Sequence, residues 1–311
     1  MSRPIANARN VPPRPRRDGP SPVFRATLLL ALAVAAIGAV VIAHFDPLAG
    51  AQGSAPVATH LAVDGIATDA CMSFAPRGAG RGKTVFIDAG HGGVDPGVVG
   101  SAGGSAVLEK DVALAVSTRA TSMLTADGYR VVVSRVSDAS VARLTAADTV
   151  SGALTADAVH RDLLARAACA DAAAASALVS IHFDAFDDPS VGGTETFYDS
   201  ARPFAAKSRA LAMSLQAALV AALGTSDRGV WTDEELVAPT LTPSGASYGH
   251  FIELGPASQG WVDKPSQMPG ALIEPLFLTK VDEARYAASA SGQQRIASAL
   301  RAGLETYLTN S

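Results

Sequence analysis

An apolar run that ends in glycines around one histidine is the feature that most constrains this chain. Residues 84–89 read TVFIDA and are followed by Gly90-His91-Gly92-Gly93. A short apolar run bounded by glycines is typical of a buried strand. Glycines lack a β-carbon and let backbone or ligand atoms approach closely. The segment therefore predicts a strand whose carboxyl end presents His91 to the loop above it.

The rest of the chain alternates between strand-like and helical patterns. Apolar residues recur at helical spacing from Glu109 to about Ala126, and Asp127-Gly128 ends this helix. Further strands are predicted over residues 129–134, 177–183, 193–198 and 249–254, and helices over residues 159–175, 204–223 and within 282–308. Such alternation predicts an α/β fold, with a mainly parallel (mixed) twisted sheet that carries helices on both faces of a single domain.

The first 82 residues differ in composition from the rest. Residues 1–25 are rich in arginine and proline, so we expect a disordered cytoplasmic tail. Residues 26–43 contain no charged residue, and the segment 26–45 is predicted to be a transmembrane anchor, with a cleaved signal segment as the alternative. Residues 46–82 predict a linker that is rich in Ala, Gly, Pro and Ser, and residues 83–311 predict the folded domain.

Charge and cysteine content limit the partners and the compartment. The 311-residue chain has a net charge of -4 although its first 25 residues are basic, so the remainder is acidic. This distribution argues against a nucleic-acid partner. Cys71 and Cys169 are compatible with one disulfide in an oxidising compartment or with two free thiols in the cytosol. The arginine-rich tail before the apolar segment predicts that the folded domain lies outside the cytoplasmic membrane.

Candidate metal ligands follow the predicted strands. His91, Glu109 and His182 form a set of two histidines and one carboxylate, the ligand class of hydrolytic zinc, which leaves a fourth position for water. Glu253 closes the predicted strand over residues 249–254 and is a candidate for proton transfer. Since the carboxyl ends of parallel strands meet at one edge of a sheet, we expect these four side chains to converge.

Other polar residues near these positions have ordinary interpretations beside functional ones. Asp88 and Asp95 could orient a zinc histidine, yet aspartate is also common in tight glycine turns. His250 points away from Glu253 if the strand over residues 249–254 alternates. We expect His160, at the start of a helix, to be non-catalytic.

Four motifs occur in order along the chain: residues 87–97 (IDAGHGGVDPG), 109–112 (EKDV), 180–182 (SIH) and 252–255 (IELG). Together they resemble the zinc-dependent N-acetylmuramoyl-L-alanine amidases, over residues 83 to about 310. The resemblance implies that His91, Glu109 and His182 bind Zn²⁺ and that Glu253 is the catalytic base. It also implies the substrate, the amide bond between N-acetylmuramic acid and the L-alanine of the peptidoglycan stem peptide.

The resemblance further implies a cell-envelope enzyme that acts on peptidoglycan or its muropeptide fragments. We expect a monomer that is anchored to the membrane through its N-terminal segment, or exported after signal cleavage. Asp184 and Pro256 stand where the family usually has an asparagine and an aromatic residue, which bears on substrate contacts. Two other hypotheses stay open, namely another zinc peptidase or amidohydrolase of the envelope, and a catalytically silent peptidoglycan-binding regulator.

Overall fold

A mixed sheet is the framework of the part of the chain that the structure describes. This computed structural model describes residues 58–235, 240–241 and 247–310. Within them, eight strands pair in the order β1-β2-β6-β3-β9-β14-β10-β11. These strands are β1 Ala58–His60, β2 Ala70–Phe74, β3 Thr84–Ala89, β6 Arg130–Arg135, β9 Ala177–Ile181, β10 Thr194–Tyr198, β11 Asp227–Thr232 and β14 Gly270–Glu274. The central strands β6, β3, β9 and β14 run parallel, whereas β10 is antiparallel to β14 and β11 is parallel to β10.

Short hairpins and helices complete the described residues. The hairpin strands are β4 Val99–Ala102, β5 Ser105–Leu108, β7 Thr149–Val150, β8 Ala153–Leu154, β12 Thr240–Leu241 and β13 Ser247–Tyr248. The α-helices are α1 Glu109–Ala126, α2 Ala156–Ala172, α3 Ala205–Leu223, α4 Val281–Ala288 and α5 Ala290–Thr309, and 3₁₀ turns span Ala146–Asp148 and Asp233–Glu235. The predicted α/β fold with helices on both faces of a mixed sheet is confirmed.

One face of the sheet carries most of the helices. In β3, Val85 and Ile87 belong to this face and pack in one cluster with residues of α1, α3 and α5. Val112 and Val116 of α1 are four residues apart and both buried, because positions at this spacing share one side of a helix. Gly128, with φ +92°, follows α1 and lets the chain reverse into β6.

The opposite face is covered by α2 and by the segment of residues 248–268. Phe86 and Leu178 point to this face, where they pack with Cys169 of α2 and with Leu254 and Met268. The interior there combines one alanine-rich helix with an irregular segment. This second layer forms one wall of the functional site.

The two cysteines form the predicted disulfide. Cys71 lies in β2 and Cys169 in α2, both fully buried, and their sulfur atoms are bonded across a sequence separation of 98 residues. The bond joins an outer strand of the sheet to the helix of the second layer.

The chain between Gly249 and Leu254 is a turn, so the prediction of a strand there is wrong. The amide of Leu254 donates to the carbonyl of Phe251. The apolar side chains of the segment cover the sheet, but its backbone does not pair with a strand. The strand that does pair with β9 is β14, Gly270–Glu274, which the sequence analysis did not identify. Apolar character alone does not distinguish a strand from a segment that covers one.

Two predictions about the N-terminal part need correction. Residues 58–74, inside the range predicted as a linker, contribute β1 and β2 to the sheet, so the folded region begins before Lys83. No helix in residues 58–235, 240–241 or 247–310 is long and apolar enough to cross a membrane, and the segment 26–45 lies outside these residues. The described residues therefore give no support to the transmembrane prediction.

Reduction of the disulfide should destabilise the protein. A crosslink that closes a loop of 98 residues contributes up to about 4–5 kcal/mol in the chain-entropy model. Urea denaturation with and without a thiol reductant measures the loss. The variant C71A/C169A is the control, because reductant has no bond to break in it. An equal midpoint for oxidised and reduced wild type would contradict the prediction.

Candidate active site

Three of the predicted site residues converge at one edge of the sheet. Nε2 of His91 lies 3.0 Å from Oε1 of Glu109, and Nδ1 of His182 lies 2.9 Å from the same oxygen. The two histidine nitrogens are 3.1 Å apart. Atoms that ligate one cation at about 2.0–2.2 Å are separated by distances of this size. The group could therefore hold a metal ion.

The strand order explains why the two histidines meet. β3 and β9 are parallel neighbours in which Ala89 pairs with Ile181, so both strands end at the same level. His91 follows the first strand by two residues, and His182 follows the second directly. The sequence prediction of convergence at a common sheet edge is thus confirmed for this pair.

Glu109 is fixed by backbone donors on both of its oxygens. The amide of Phe183 donates to Oε1 at 3.0 Å, and the amide of Val98 donates to Oε2 at 2.7 Å. Burial opposes ionisation of this carboxyl group, but hydrogen bonds from His182 and His91 hold its pKa well below the usual range. Glu109 is therefore ionised and preoriented at the first turn of α1.

Two glycines provide the space that these side chains occupy. A β-carbon on Gly90 would lie 2.5 Å from Cε1 of His182. On Gly97 it would lie 2.5 Å from Oε2 of Glu109 and 2.6 Å from Cδ2 of His91. Heavy atoms do not approach this closely, so even alanine would displace a candidate ligand. The close approach expected of the glycine-rich loop serves the protein's own side chains.

Asp95 binds the second ring nitrogen of His91. Its Oδ2 is 2.8 Å from Nδ1, and its Oδ1 accepts a hydrogen bond from the amide of Gly97. Burial disfavours the charged imidazole, but hydrogen bonds to Asp95 and Glu109 outweigh it and raise the pKa of His91 to about 9. A carboxylate on the far nitrogen orients a histidine ring for metal binding.

Arg166 of α2 secures the loop that carries His91. It forms a buried ion pair with Asp88 at 2.7 Å and donates to the carbonyl of His91 at 2.7 Å. His91 has φ +59°, a left-handed conformation that is unfavourable for a residue with a side chain. The bond to its carbonyl stabilises that conformation. Burial would raise the pKa of Asp88, but Arg166 and two serine hydroxyls lower it to about 2.

Arg135, at the end of β6, contacts the same loop from the other side. It donates to the carbonyls of Ala89 and Gly90, each at 2.9 Å, and to that of Lys110 at 2.7 Å. The guanidinium group thus connects the end of β3 to the start of α1. Both arginines are 1% exposed, so water does not compete for these bonds.

Glu274 is a fourth residue at this edge that the sequence analysis missed. It ends β14, and the amide of His182, directly after the adjacent β9, donates to the carbonyl of Ile273 at 3.0 Å. Its Oε2 is buried without a hydrogen-bond partner among the described residues. Burial, together with the negative charges of Glu109, Asp184 and Glu195, raises the pKa of Glu274 well above its ordinary value.

The sequence contains a pattern that indicates Glu274, but a second segment shows the same pattern. The run GALIE, residues 270–274, ends in a carboxylate, and Pro275 follows it, as expected at the end of a strand. Residues 251–254, FIEL, show the same apolar pattern around Glu253. Only pairing with β9 and β10 distinguishes the two segments.

Glu253 lies in the second layer, in the turn over residues 249–254. Its side chain is buried, and its Oε2 also lacks a hydrogen-bond partner in the described part of the chain. Burial and the charge of Asp88 raise its pKa, which Arg166 opposes. Its charged surroundings are thus Asp88, Arg166 and Asp162, whereas those of Glu274 include Glu109.

A cavity of about 220 Å³ joins these groups. His91, His182, Glu253 and Glu274 line its polar side. The remainder is mainly apolar and is formed by side chains of α2, β14 and the 249–254 turn, among them Val159, Leu163, Phe251, Ile252, Leu254 and Leu272. Histidines, free carboxylates and an apolar wall in one cavity are typical of an enzyme active site.

The two departures from the family pattern have local partners. Asp184 exchanges backbone hydrogen bonds with Leu276 and Leu278. Burial and the neighbouring Glu195 raise its side-chain pKa to about 7. The carbonyl of Pro256 accepts a hydrogen bond from the Tyr248 hydroxyl at 2.6 Å. Asp184 therefore adds another carboxyl group to the surroundings of Glu274.

Comparison with known proteins agrees with this geometry. A family model described as N-acetylmuramoyl-L-alanine amidase matches residues 85–306. The chain belongs to this family. The predicted family membership is thereby confirmed, while the individual roles of His91, Glu109, His182 and Glu253 stay predictions.

Individual relatives show how far the similarity extends. The amidase LytC of Bacillus subtilis is 32% identical over 226 residues, which are 73% of this chain and 36% of LytC. The uncharacterised protein YqiI of the same species is 34% identical over 227 residues, 73% of this chain and 85% of YqiI. This amidase-family chain thus spans about a third of LytC. The CwlD amidase of Clostridioides difficile, solved with the GerS lipoprotein, has a TM-score of 0.57 at 25% identity and covers 74% of this chain and 100% of CwlD.

Loss of Arg166 should destabilise the domain far more than loss of a surface arginine. In Arg166→Leu the buried Asp88 has no cation, which costs about 3–5 kcal/mol. Arg161, five residues earlier in α2, pairs with Asp157 and Asp148 at a partly exposed position, and Arg161→Leu should cost about 1 kcal/mol or less. Urea denaturation at neutral pH compares the two. Equal losses would show that the Asp88 pair does not secure the loop.

Proposed function

We propose that this chain is a zinc-dependent N-acetylmuramoyl-L-alanine amidase. It hydrolyses the amide bond between N-acetylmuramic acid and the L-alanine of the peptidoglycan stem peptide. The observation that carries the proposal is the convergence of His91, Glu109 and His182, with mutual distances of 2.9–3.1 Å, in a chain of the amidase family.

The three side chains fit a zinc ion by their chemistry and by their support. Two imidazoles and one carboxylate are a usual set for catalytic zinc. Asp95 orients His91, backbone amides orient Glu109, and Gly90 and Gly97 leave space for the set. When bound, zinc supplies a Lewis acid that polarises a carbonyl group and lowers the pKa of water.

We further propose Glu274 as the group that carries the proton. A general base must be ionised when it accepts the proton and protonated when it returns it to the leaving amine, which requires a pKa near the working pH. Burial and neighbouring carboxylates move the pKa of Glu274 in that direction. Its Oε2, which has no hydrogen-bond partner among the described residues, is available to bind a proton.

Glu253 is the rival for this role, as the motif resemblance implied. It lines the same cavity and also has a raised pKa. However, Glu274 ends the strand directly beside His182, whereas the nearby charged groups of Glu253 are Asp88 and Arg166. We therefore favour Glu274 for proton transfer and assign Glu253 to the wall of the cavity.

The location and partners follow from the substrate. We propose a cell-envelope protein that acts on peptidoglycan or muropeptide fragments, with a catalytic domain that includes residues 58–310. The buried disulfide supports an oxidising compartment outside the cytosol. Absence of a nucleic-acid partner and a monomeric state stay predictions.

Product analysis tests the proposed reaction. The protein is incubated with purified muropeptides, and the products are identified by mass spectrometry. Water adds across the scissile amide, so we expect a lactyl carboxylate on the muramic acid and an intact stem peptide with a free alanine amine. Cleavage within the stem peptide would instead indicate another peptidase, and unchanged muropeptides would indicate a silent regulator.

Metal removal provides the matched control for that assay. Treatment with a chelator should abolish cleavage, and Zn²⁺ should restore it in the wild type but not in His91→Ala. Cleavage that survives complete chelation would contradict a metal-dependent mechanism.

A pair of isosteric substitutions decides between the two glutamates. Glu274→Gln should lower kcat by about 10²–10⁴-fold, because the amide cannot carry a proton. Glu253→Gln should lower kcat less than about tenfold, since a wall residue loses only its charge. Both variants should retain zinc, measured by elemental analysis. The reverse order of activities would return the role to Glu253.

A further inference from the structure

A second group of ligand-type side chains lies away from the active site. Asp199 follows β10, Asp233 follows β11, and His250 lies in the 249–254 turn. Nδ1 of His250 is 2.8 Å from Oδ2 of Asp199 and 3.3 Å from Oδ1 of Asp233. One ligand atom from each residue therefore points into the same small volume.

The two carboxylates are buried and use their oxygens in the same way. Asp199 is 1% exposed, and Asp233 is fully buried. Oδ1 of Asp199 accepts a hydrogen bond from the amide of Ala201, and Oδ2 of Asp233 accepts one from the amide of Phe251. In each carboxylate one oxygen is bound to the backbone, and the other faces His250.

A hydrogen-bonded ion pair does not account for this arrangement. Nδ1 of His250 carries at most one N–H, and its hydrogen-bond geometry is satisfied only at the longer distance, with Asp233. The shorter contact with Asp199 does not have that geometry, and Oδ2 of Asp199 is buried without a hydrogen-bond partner in the described residues. An unpartnered buried carboxylate oxygen is costly unless it binds something.

The neighbouring arginine does not fill this gap. The charge of Arg202 acts on Asp199, but the hydrogen bonds of its guanidinium group go to the carbonyls of Leu254, Gly255 and Ser266. Within the part of the chain that the structure describes, it donates none to Asp199 or Asp233. The Asp199 oxygen that faces His250 therefore has no donor among the described residues.

We propose that Asp199, Asp233 and His250 bind a second divalent cation of the zinc class. Their ligand atoms lie as close together as those of the first site, at 2.8 and 3.3 Å here against 2.9–3.1 Å there. An imidazole nitrogen disfavours Ca²⁺ and Mg²⁺, which take oxygen ligands. Two carboxylates with one imidazole suit Zn²⁺.

This site would secure the second layer from the end opposite the catalytic residues. Glu195 and Asp199 are four residues apart on one face of an extended strand, about 13 Å along the chain. Between them Phe197 packs edge-on against Phe251, with ring centroids 5.8 Å apart. The cation would join two sheet strands to His250, directly before the residues that line the catalytic cavity. Its role is therefore structural.

Zinc titration of variants of the full chain tests the proposal without an activity assay. In chelator-treated His91→Ala, in which the first site lacks a ligand, we expect one equivalent of Zn²⁺ to bind and to raise Tm. The double variants H91A/H250A and H91A/D199N should bind none and show no change in Tm with zinc. Failure of H91A to bind zinc, or equal binding by the double variants, would overturn the second site.

Substitution of His160, a histidine in the same layer, controls for general destabilisation of that layer. His160 of α2 contacts the carbonyl of Trp261 at 2.6 Å but belongs to neither cluster, so H91A/H160A should still bind one equivalent. D199N is nearly isosteric, and circular dichroism checks that it folds. If H91A/H160A bound as little zinc as H91A/H250A, the assignment of the ligands would be overturned. The amidase proposal is tested separately, since it concerns products and the first site of the wild type.

Discussion

The buried ion pair between Arg166 and Asp88 is the interaction on which the active site depends. Asp88 lies in the central strand β3, whereas Arg166 comes from α2 in the layer that covers the opposite face, so the pair joins the sheet to that layer at the level of the histidines. The same guanidinium group binds the carbonyl of His91 and so stabilises its left-handed backbone. Without Arg166 the loop would lose both its anchor and the partner of a buried charge. The first candidate ligand is thus positioned by a helix to which it does not belong.

Around the Arg166–Asp88 pair, the site combines side chains that hydrogen bonds hold in place with a buried acid that has no neutralising partner among the described residues. Nδ1 of His91 and both carboxylate oxygens of Glu109 are hydrogen-bonded to protein groups, which preorganises the two side chains for a cation. Glu274 is different, because its buried oxygen has no hydrogen-bond partner in the described residues and its neighbours are negative. Such a group is unfavourable for stability and useful for proton transfer. The contrast separates the residues proposed to hold a metal from the residue proposed to transfer the proton.

Much of the fold and of the candidate site could be predicted from local sequence patterns, and the predictions that were wrong or missing have one cause. The strand Thr84–Ala89 and the helix Glu109–Ala126 matched because amphipathic spacing and glycine stops are encoded locally. His91 and His182 met because parallel neighbours end together. Glu253 and Glu274, however, both close apolar runs, and only pairing with strands 75 or more residues away in sequence decides which run enters the sheet. The cluster of Asp199, Asp233 and His250 was not predicted for the same reason, since no sequence motif joins residues from two strand ends and a turn.

The disulfide determines which parts of the molecule can move apart. Cys169 lies one helical turn after Arg166, so the covalent bond to Cys71 ties β2 to the same stretch of α2 that supports the His91 loop. Any displacement of α2 from the sheet must carry β2 with it and break the strand pairing of β2 with β6. The other wall of the cavity, the segment of residues 248–268, has no disulfide to the sheet and is held by non-covalent contacts, such as those of His250 with Asp199 and Asp233 and of the Phe251 amide with Asp233. The two walls of the cavity thus differ in kind, one fixed to the sheet by a covalent bond and the other by contacts that can break and re-form.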